Sequence, residues 1–90
     1  MIRLAIRVWG SVQGVGFRWR ARSTAALLGV GGFVKNEDDG SVYLELEGER
    51  ETVEQALDYM ERGSFIRFDR VEKREIDPTG ERDFYVWEEE

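Results

Sequence analysis

The chain has 90 residues, a net charge of −6 at pH 7 and 41% apolar residues, three Trp and five Phe among them. That is enough for one small core, although a chain of this size buries only about 60–65% of its unfolded surface. Cys and His are both absent, which excludes disulfides, thiolate metal centres, a Cys nucleophile, a His base and a phosphohistidine intermediate, while the acidic balance argues against nucleic-acid binding.

The opening stretch MIRLAIRVWG alternates instead of running apolar. It is therefore neither a signal peptide nor a membrane span, and a cytoplasmic protein is expected. Ile2, Leu4, Ile6 and Val8 share one face, with Arg3, Ala5 and Arg7 on the other, which predicts a half-buried strand. Gly10, Gly14 and Gly16 crowd the loop that follows. Phe17, Ala21, Thr24, Ala25 and Leu28 then recur at spacings of three and four, predicting a helix with Gly29 as its left-handed cap.

Residues 30–36 read as a second strand, which enters a hairpin turn centred on Asp39 and Gly40. The return strand spans 41–48, where Val42, Leu44 and Leu46 alternate with Tyr43, Glu45 and Glu47. Val53, Ala56, Leu57 and Met60 mark one face of a second helix that Gly63 ends. Residues 65–76 predict a fourth strand with looser alternation, Pro78 to Gly80 a turn, and 83–87 a short last strand before an acidic tail. The order β-α-β-β-α-β plus one short strand predicts an α+β, ferredoxin-like sandwich, with two helices on one face of an antiparallel sheet. No repeat or linker interrupts it, so residues 1–90 read as one domain.

The stretch from Trp9 to Ser23 carries the chemistry. Two nucleotide-binding patterns fail there: Trp19 stands where a dinucleotide fingerprint needs its third glycine, and no Gly-Lys-Ser/Thr follows. Glycines without Cβ let successive backbone N–H groups converge on an anion, and a helix N-terminus adds partial positive charge. Arg18, two residues past the last loop glycine, adds a planar fork that matches two phosphoryl oxygens. A tight turn with no ligand explains the glycines equally well. Arg20 and Arg22 read as solvated helix surface, and Trp19 as packing or rim. Asn36 reads as an Asx-type cap before the hairpin.

The strings GSVQGVGFR at 10–18 and GVGGFVKNEDDGSV at 29–42 resemble the signature pair of the acylphosphatase family. The resemblance runs from Trp9 through the last strand. Phe33 stands where the family often has Trp, Lys35 where it often has Arg, and 64–68 lacks a proline common after the second helix. None of these removes a catalytic position. Carried onto this sequence, the resemblance makes the backbone of Ser11, Val12, Gln13, Gly14, Val15 and Gly16 a phosphate cradle. It makes Arg18 the guanidinium that binds substrate, and Asn36 the residue that holds the attacking water.

The activity so implied is hydrolysis of the carboxyl-phosphate bond of acyl phosphates, giving a carboxylate and inorganic phosphate. An acyl phosphate has a good leaving group and reacts through a loose transition state, so positioning and charge stabilisation carry most of the catalysis. Direct in-line attack by water, without cofactor or metal, is the expected route. Asp38 and Asp39 read as a polar hairpin and not as a magnesium site. Ser11 has the one hydroxyl in the loop, with no base next to it in sequence for a phosphoserine route. The partners expected are a small acyl phosphate and inorganic phosphate, with no nucleic acid and no membrane, for a protein working as a monomer. The alternatives weighed are a non-catalytic module binding phosphate or carbamoyl phosphate, and an RNA-recognition module, which the charge and the lack of a basic aromatic strand motif disfavour.

Overall fold

The computed structural model describes residues 1–88, so the acidic tail beyond Glu88 lies outside the described residues. Seven elements follow one another: β1 (Ile2–Ser11), α1 (Phe17–Leu28), β2 (Gly31–Asn36), β3 (Val42–Gly48), α2 (Arg50–Glu61), β4 (Arg67–Ile76) and β5 (Phe84–Trp87). They form the expected ferredoxin-like sandwich, with the strands in the order β4-β1-β3-β2-β5. The first four strands pair antiparallel, whereas β5 adds to the edge parallel to β2, which makes the sheet mixed.

Register decides which side chains meet the helices. Leu4, Ile6 and Val8 of β1 stand opposite Leu46, Leu44 and Val42 of β3. Val34 pairs with Leu44, and Asn36 with Val42, so Asn36 lies on the same face as this apolar row. Phe17, Ala21 and Ala25 of α1 and Val53, Ala56, Leu57 and Met60 of α2 close the core over it. Phe17 makes an edge-on contact with Phe68 of β4, with ring centroids 5.6 Å apart.

The opposite face is less open than alternation suggests. Arg3 is only 4% exposed. Its Nε donates to Glu45 at 2.7 Å and its Nη1 to Glu47 at 2.9 Å. Glu47 also accepts the N–H groups of Thr79 at 2.8 Å and Gly80 at 2.7 Å. The segment between β4 and β5 is thereby tied across the sheet, and its Asp83 carbonyl receives the Gly32 N–H at 2.9 Å.

Gly29 caps α1 in the left-handed region as predicted (φ 72°). The end of α2 differs. Arg62, not Gly63, is the cap residue, and it is right-handed (φ −78°). Gly63 serves instead as clearance: a Cβ there would stand 2.6 Å from Cδ of Arg20. Arg20 is correspondingly no bystander. Its Nε and Nη2 donate to the Tyr59 carbonyl at 3.0 and 2.7 Å, and its guanidinium lies 4.6 Å from the Tyr59 ring centroid. It thus satisfies a carbonyl of the last turn of α2 from α1. The fourth strand starts at Arg67 and not at 65, because Phe65 adopts a left-handed conformation (φ 70°).

Candidate active site

β1 and β2 both run antiparallel to β3 and therefore parallel to each other, with β5 parallel to β2. The chain end of each of these three strands thus lies at one edge of the sheet. The loop from Val12 to Gly16 leaves β1 at that edge and turns into α1, so the helix N-terminus opens beside Asn36, the last residue of β2.

Gly14 and Gly16 are both left-handed (φ 74° and 80°), with open space around a notional Cβ. Their requirement is therefore conformational and not steric. Gly10 differs from both: it belongs to β1, beside a bulge in the pairing with β4, where a Cβ would lie 2.2 Å from the Arg67 carbonyl. Val12 is buried in the core and fixes the loop at its start.

Gly16 occupies the N-cap of α1 without a side-chain hydrogen bond, and the first turn contains no acidic residue. Its N–H groups are therefore unclaimed by any capping side chain, and the positive end of the helix faces the loop. Arg18 projects from that turn and makes no hydrogen bond or ion pair with any described residue. A guanidinium left unneutralised beside free N–H groups is suited to an anion with several oxygens.

A cavity of about 200 Å³ is lined by Val12, Gly14, Gly16, Arg18, Trp19 and Asn36. A wider hollow of about 590 Å³ shares Arg18 and Asn36 and adds Gln13, Glu37, Asp38, Trp87 and Glu88. Arg18 and Asn36, 18 positions apart in sequence, therefore line the same two cavities. The Oδ1 of Asn36 is buried and accepts no hydrogen bond from any described residue. An Asx cap would use that oxygen. The hairpin is capped instead by Asp39, whose carboxylate accepts the Ser41 N–H at 2.9 Å and the Ser41 hydroxyl at 2.5 Å. These bonds, with smaller help from Trp9 and Arg7, hold the Asp39 carboxyl below the usual range.

The other loop residues sort plainly. Ser11 closes β1, and its hydroxyl donates to the Phe65 carbonyl at 2.9 Å. The Gln13 side chain bridges to the hairpin, with Nε2 donating to the carbonyls of Glu37 and Ser41, each at 2.8 Å. Val15 packs against the core from its edge. Trp19 is 73% exposed, on the rim. Among the described residues, no group of three or more Asp and Glu side chains could hold a metal ion. Sequence reasoning missed Trp87 and Glu88, because only the parallel docking of β5 on β2 brings them to this edge.

A hollow of about 620 Å³ lies on the open sheet face around Ala5, between Arg7, Tyr43 and Arg74. It faces no helix N-terminus and no glycine loop. Burial, with the hydrogen bond to Glu45, pushes the Tyr43 hydroxyl up to about 12, so it remains a neutral phenol. Size alone therefore does not mark the candidate; the convergence of N–H groups, Arg18 and Asn36 makes the other edge the candidate site.

Comparison with known proteins bears on the family. The acylphosphatase family model matches residues 4–86. An acylphosphatase of Thermococcus kodakarensis is 41% identical over 86 residues, covering 94% of each chain. One of Archaeoglobus fulgidus is 44% identical over 80 residues, covering 86% of this chain and 90% of its own. The crystal structure of acylphosphatase from Bacillus subtilis superposes with a TM-score of 0.91 at 30% identity, covering 98% of this chain and all of that one (100%). With its fold, its loop and its near full-length matches in accord, the chain belongs to the acylphosphatase family and is an enzyme of that class.

Proposed function

We propose that the chain hydrolyses acyl phosphates by direct in-line attack of water, with the N–H groups of Ser11 to Gly16 and the Arg18 guanidinium holding the phosphoryl group. The observation that carries this reading is the pairing, in one cavity, of an Arg18 that no described carboxylate neutralises with a buried Asn36 Oδ1 that no described residue partners. Arg18 and the loop neutralise the equatorial oxygens, where charge is spread in the loose transition state. The Asn36 oxygen accepts one hydrogen of the water, turning a lone pair of that water toward phosphorus. Water supplies the new P–O bond and the bond to the carboxylate oxygen breaks. The released carboxylate leaves as the anion, and the water's proton passes to a phosphoryl oxygen of the substrate. The Ser11 hydroxyl already donates to Phe65, which supports water and not Ser11 as nucleophile.

Inorganic phosphate, the product, is expected to compete for the same cradle. No helix among the described residues is long and apolar enough to cross a membrane. We further infer a cytoplasmic protein with residues 1–90 as one unit, working as a monomer without cofactor or metal; the acidic charge supports the absence of nucleic acid. The deciding experiment is hydrolysis of benzoyl phosphate by the wild type and by Asn36→Ala, with inorganic phosphate as competitor. The expected result is a kcat lowered by about 10²-fold or more in the variant, with phosphate inhibition retained. A variant that loses phosphate binding as well would make Asn36 part of the cradle and contradict its role with water.

A further inference from the structure

The geometry points to the Gln13 side chain as the positioning residue that sets the distance between the phosphate cradle and Asn36. This assignment rests on the functional reading above and deepens it. Both hydrogens of the Gln13 amide are used: one goes to the Glu37 carbonyl and one to the Ser41 carbonyl, each at 2.8 Å. Those two carbonyls flank the mouth of the β2–β3 hairpin, where the Glu37 N–H also donates to Ser41 at 2.9 Å. The Glu37 carbonyl lies one residue beyond Asn36. The amide therefore grips the hairpin next to the residue that is to hold the water.

The cradle needs such a grip. Its two left-handed glycines have open space around them and no side chain to lock them. Val12, Gly14, Val15 and Gly16 carry no polar side-chain group, so among loop residues 12–16 Gln13 alone can bond the hairpin through its side chain. Asn36, for its part, has an Oδ1 that no described residue holds. Phosphorus would be fixed by the loop and water by the strand, two separate pieces of backbone. In-line attack requires the reacting atoms within about 3–3.5 Å and aligned, and a misplacement of about 1 Å can cost about 10²-fold. Gln13 is the side chain that spans the two pieces.

A structural strut would lower stability, whereas a positioning strut lowers turnover through Asn36. Both carbonyls that Gln13 contacts retain backbone donors, Gly40 N–H to Glu37 and Glu37 N–H to Ser41, so its removal leaves no buried acceptor orphaned. Gln13→Leu is therefore expected to fold. Gln13→Asn keeps the amide but is one methylene too short to span the gap, and it serves as the second variant. The test measures kcat for benzoyl phosphate, the inhibition constant of inorganic phosphate and Tm for the wild type, both variants, Asn36→Ala and the Gln13→Leu/Asn36→Ala double variant. In the wild-type background, each Gln13 variant should lower kcat about 10- to 100-fold while the phosphate constant moves less than about threefold. In the Asn36→Ala background, Gln13→Leu should lower kcat by less than about threefold, because the group it positions is gone. An unchanged kcat in Gln13→Leu would overturn the assignment. So would a phosphate constant that rises in step with the loss of turnover, or an equal kcat loss in both backgrounds. A wild type that does not hydrolyse benzoyl phosphate would overturn the functional reading, and this assignment with it, whereas failure of the Gln13 variants alone leaves that reading standing.

Discussion

Arg18 is the residue on which the proposed anion binding turns. It lies in the first turn of α1, where the helix contributes free N–H groups, and no described carboxylate neutralises it. Arg18→Ala should lower kcat/KM for benzoyl phosphate by about 10²–10³-fold and weaken inhibition by phosphate, with Tm changed little. Arg18→Lys keeps the charge but loses the bidentate fork, and it should recover only part of that loss. Near wild-type turnover in Arg18→Ala would remove this residue from the mechanism. Asn36 shows the same logic from the other side. Its sequence context favours a turn cap, yet Asp39 performs that task and leaves the Asn36 oxygen unpartnered.

Among the elements, the two helices are joined by one side chain whose role sequence position conceals. Arg20 stands on α1, yet it donates twice to the carbonyl of Tyr59 in the last turn of α2 and stacks on its ring. Helical spacing from Arg18 places Arg20 on another face but says nothing about a second helix. Arg20→Ala should lower unfolding free energy by about 1–2 kcal/mol, read by chemical denaturation, with kcat unaltered. Arg20→Lys loses the planar stacking and one of the two donors, so it should fall between. A loss of activity that exceeded the loss of stability would connect Arg20 to the site and contradict this account. The carboxyl-edge site also depends on an element-level fact: β5 docks parallel to β2, which brings Trp87 and Glu88 to the cavity rim.

At the scale of the whole molecule, charge has two consequences. Glu47 is nearly buried, and burial opposes its ionisation. The N–H groups of Thr79 and Gly80 together with the Arg3 guanidinium outweigh that, bringing its carboxyl down to about 2 from 4.5. A carboxyl depressed in the folded state contributes stability above its unfolded value, and that contribution is lost as pH falls from about 4.5 to about 2. Glu47→Gln should therefore be less stable than the wild type at neutral pH, and the gap should narrow through that window. Parallel unfolding profiles for the two proteins would exclude Glu47 as a source of acid lability.

The second consequence concerns substrates. Glu37, Asp38 and Glu88 line the wider hollow around Arg18, on a chain of net charge −6. An acyl phosphate with an anionic acyl end, such as succinyl phosphate, should be disfavoured relative to benzoyl phosphate at low salt. Raising the salt from about 0.01 to about 0.3 M should increase the ratio of their kcat/KM values by about two- to fivefold, because screening acts on the extra charge. A ratio indifferent to salt would show that the acidic rim does not act on the acyl end.

Much of this protein is determined along the chain. Period-two and period-3.6 patterns define the strands and helices, because each element buries one face and local spacing records which residues share it. The glycine loop and Arg18 are legible for a similar reason: a left-handed backbone and a helix start are local properties, and Gly14 and Gly16 carry them. The family strings add Asn36 as a proposed site residue. What tertiary structure alone decides is everything that depends on a neighbour distant in sequence. The partner of Arg20 is 39 residues away, the hairpin contacts of Gln13 are 24 and 28 residues away, and Arg3 meets Glu47 across 44. Hydrophobic periodicity carries no information about such partners, since a polar side chain looks the same in sequence whether it meets water or a backbone carbonyl from another element.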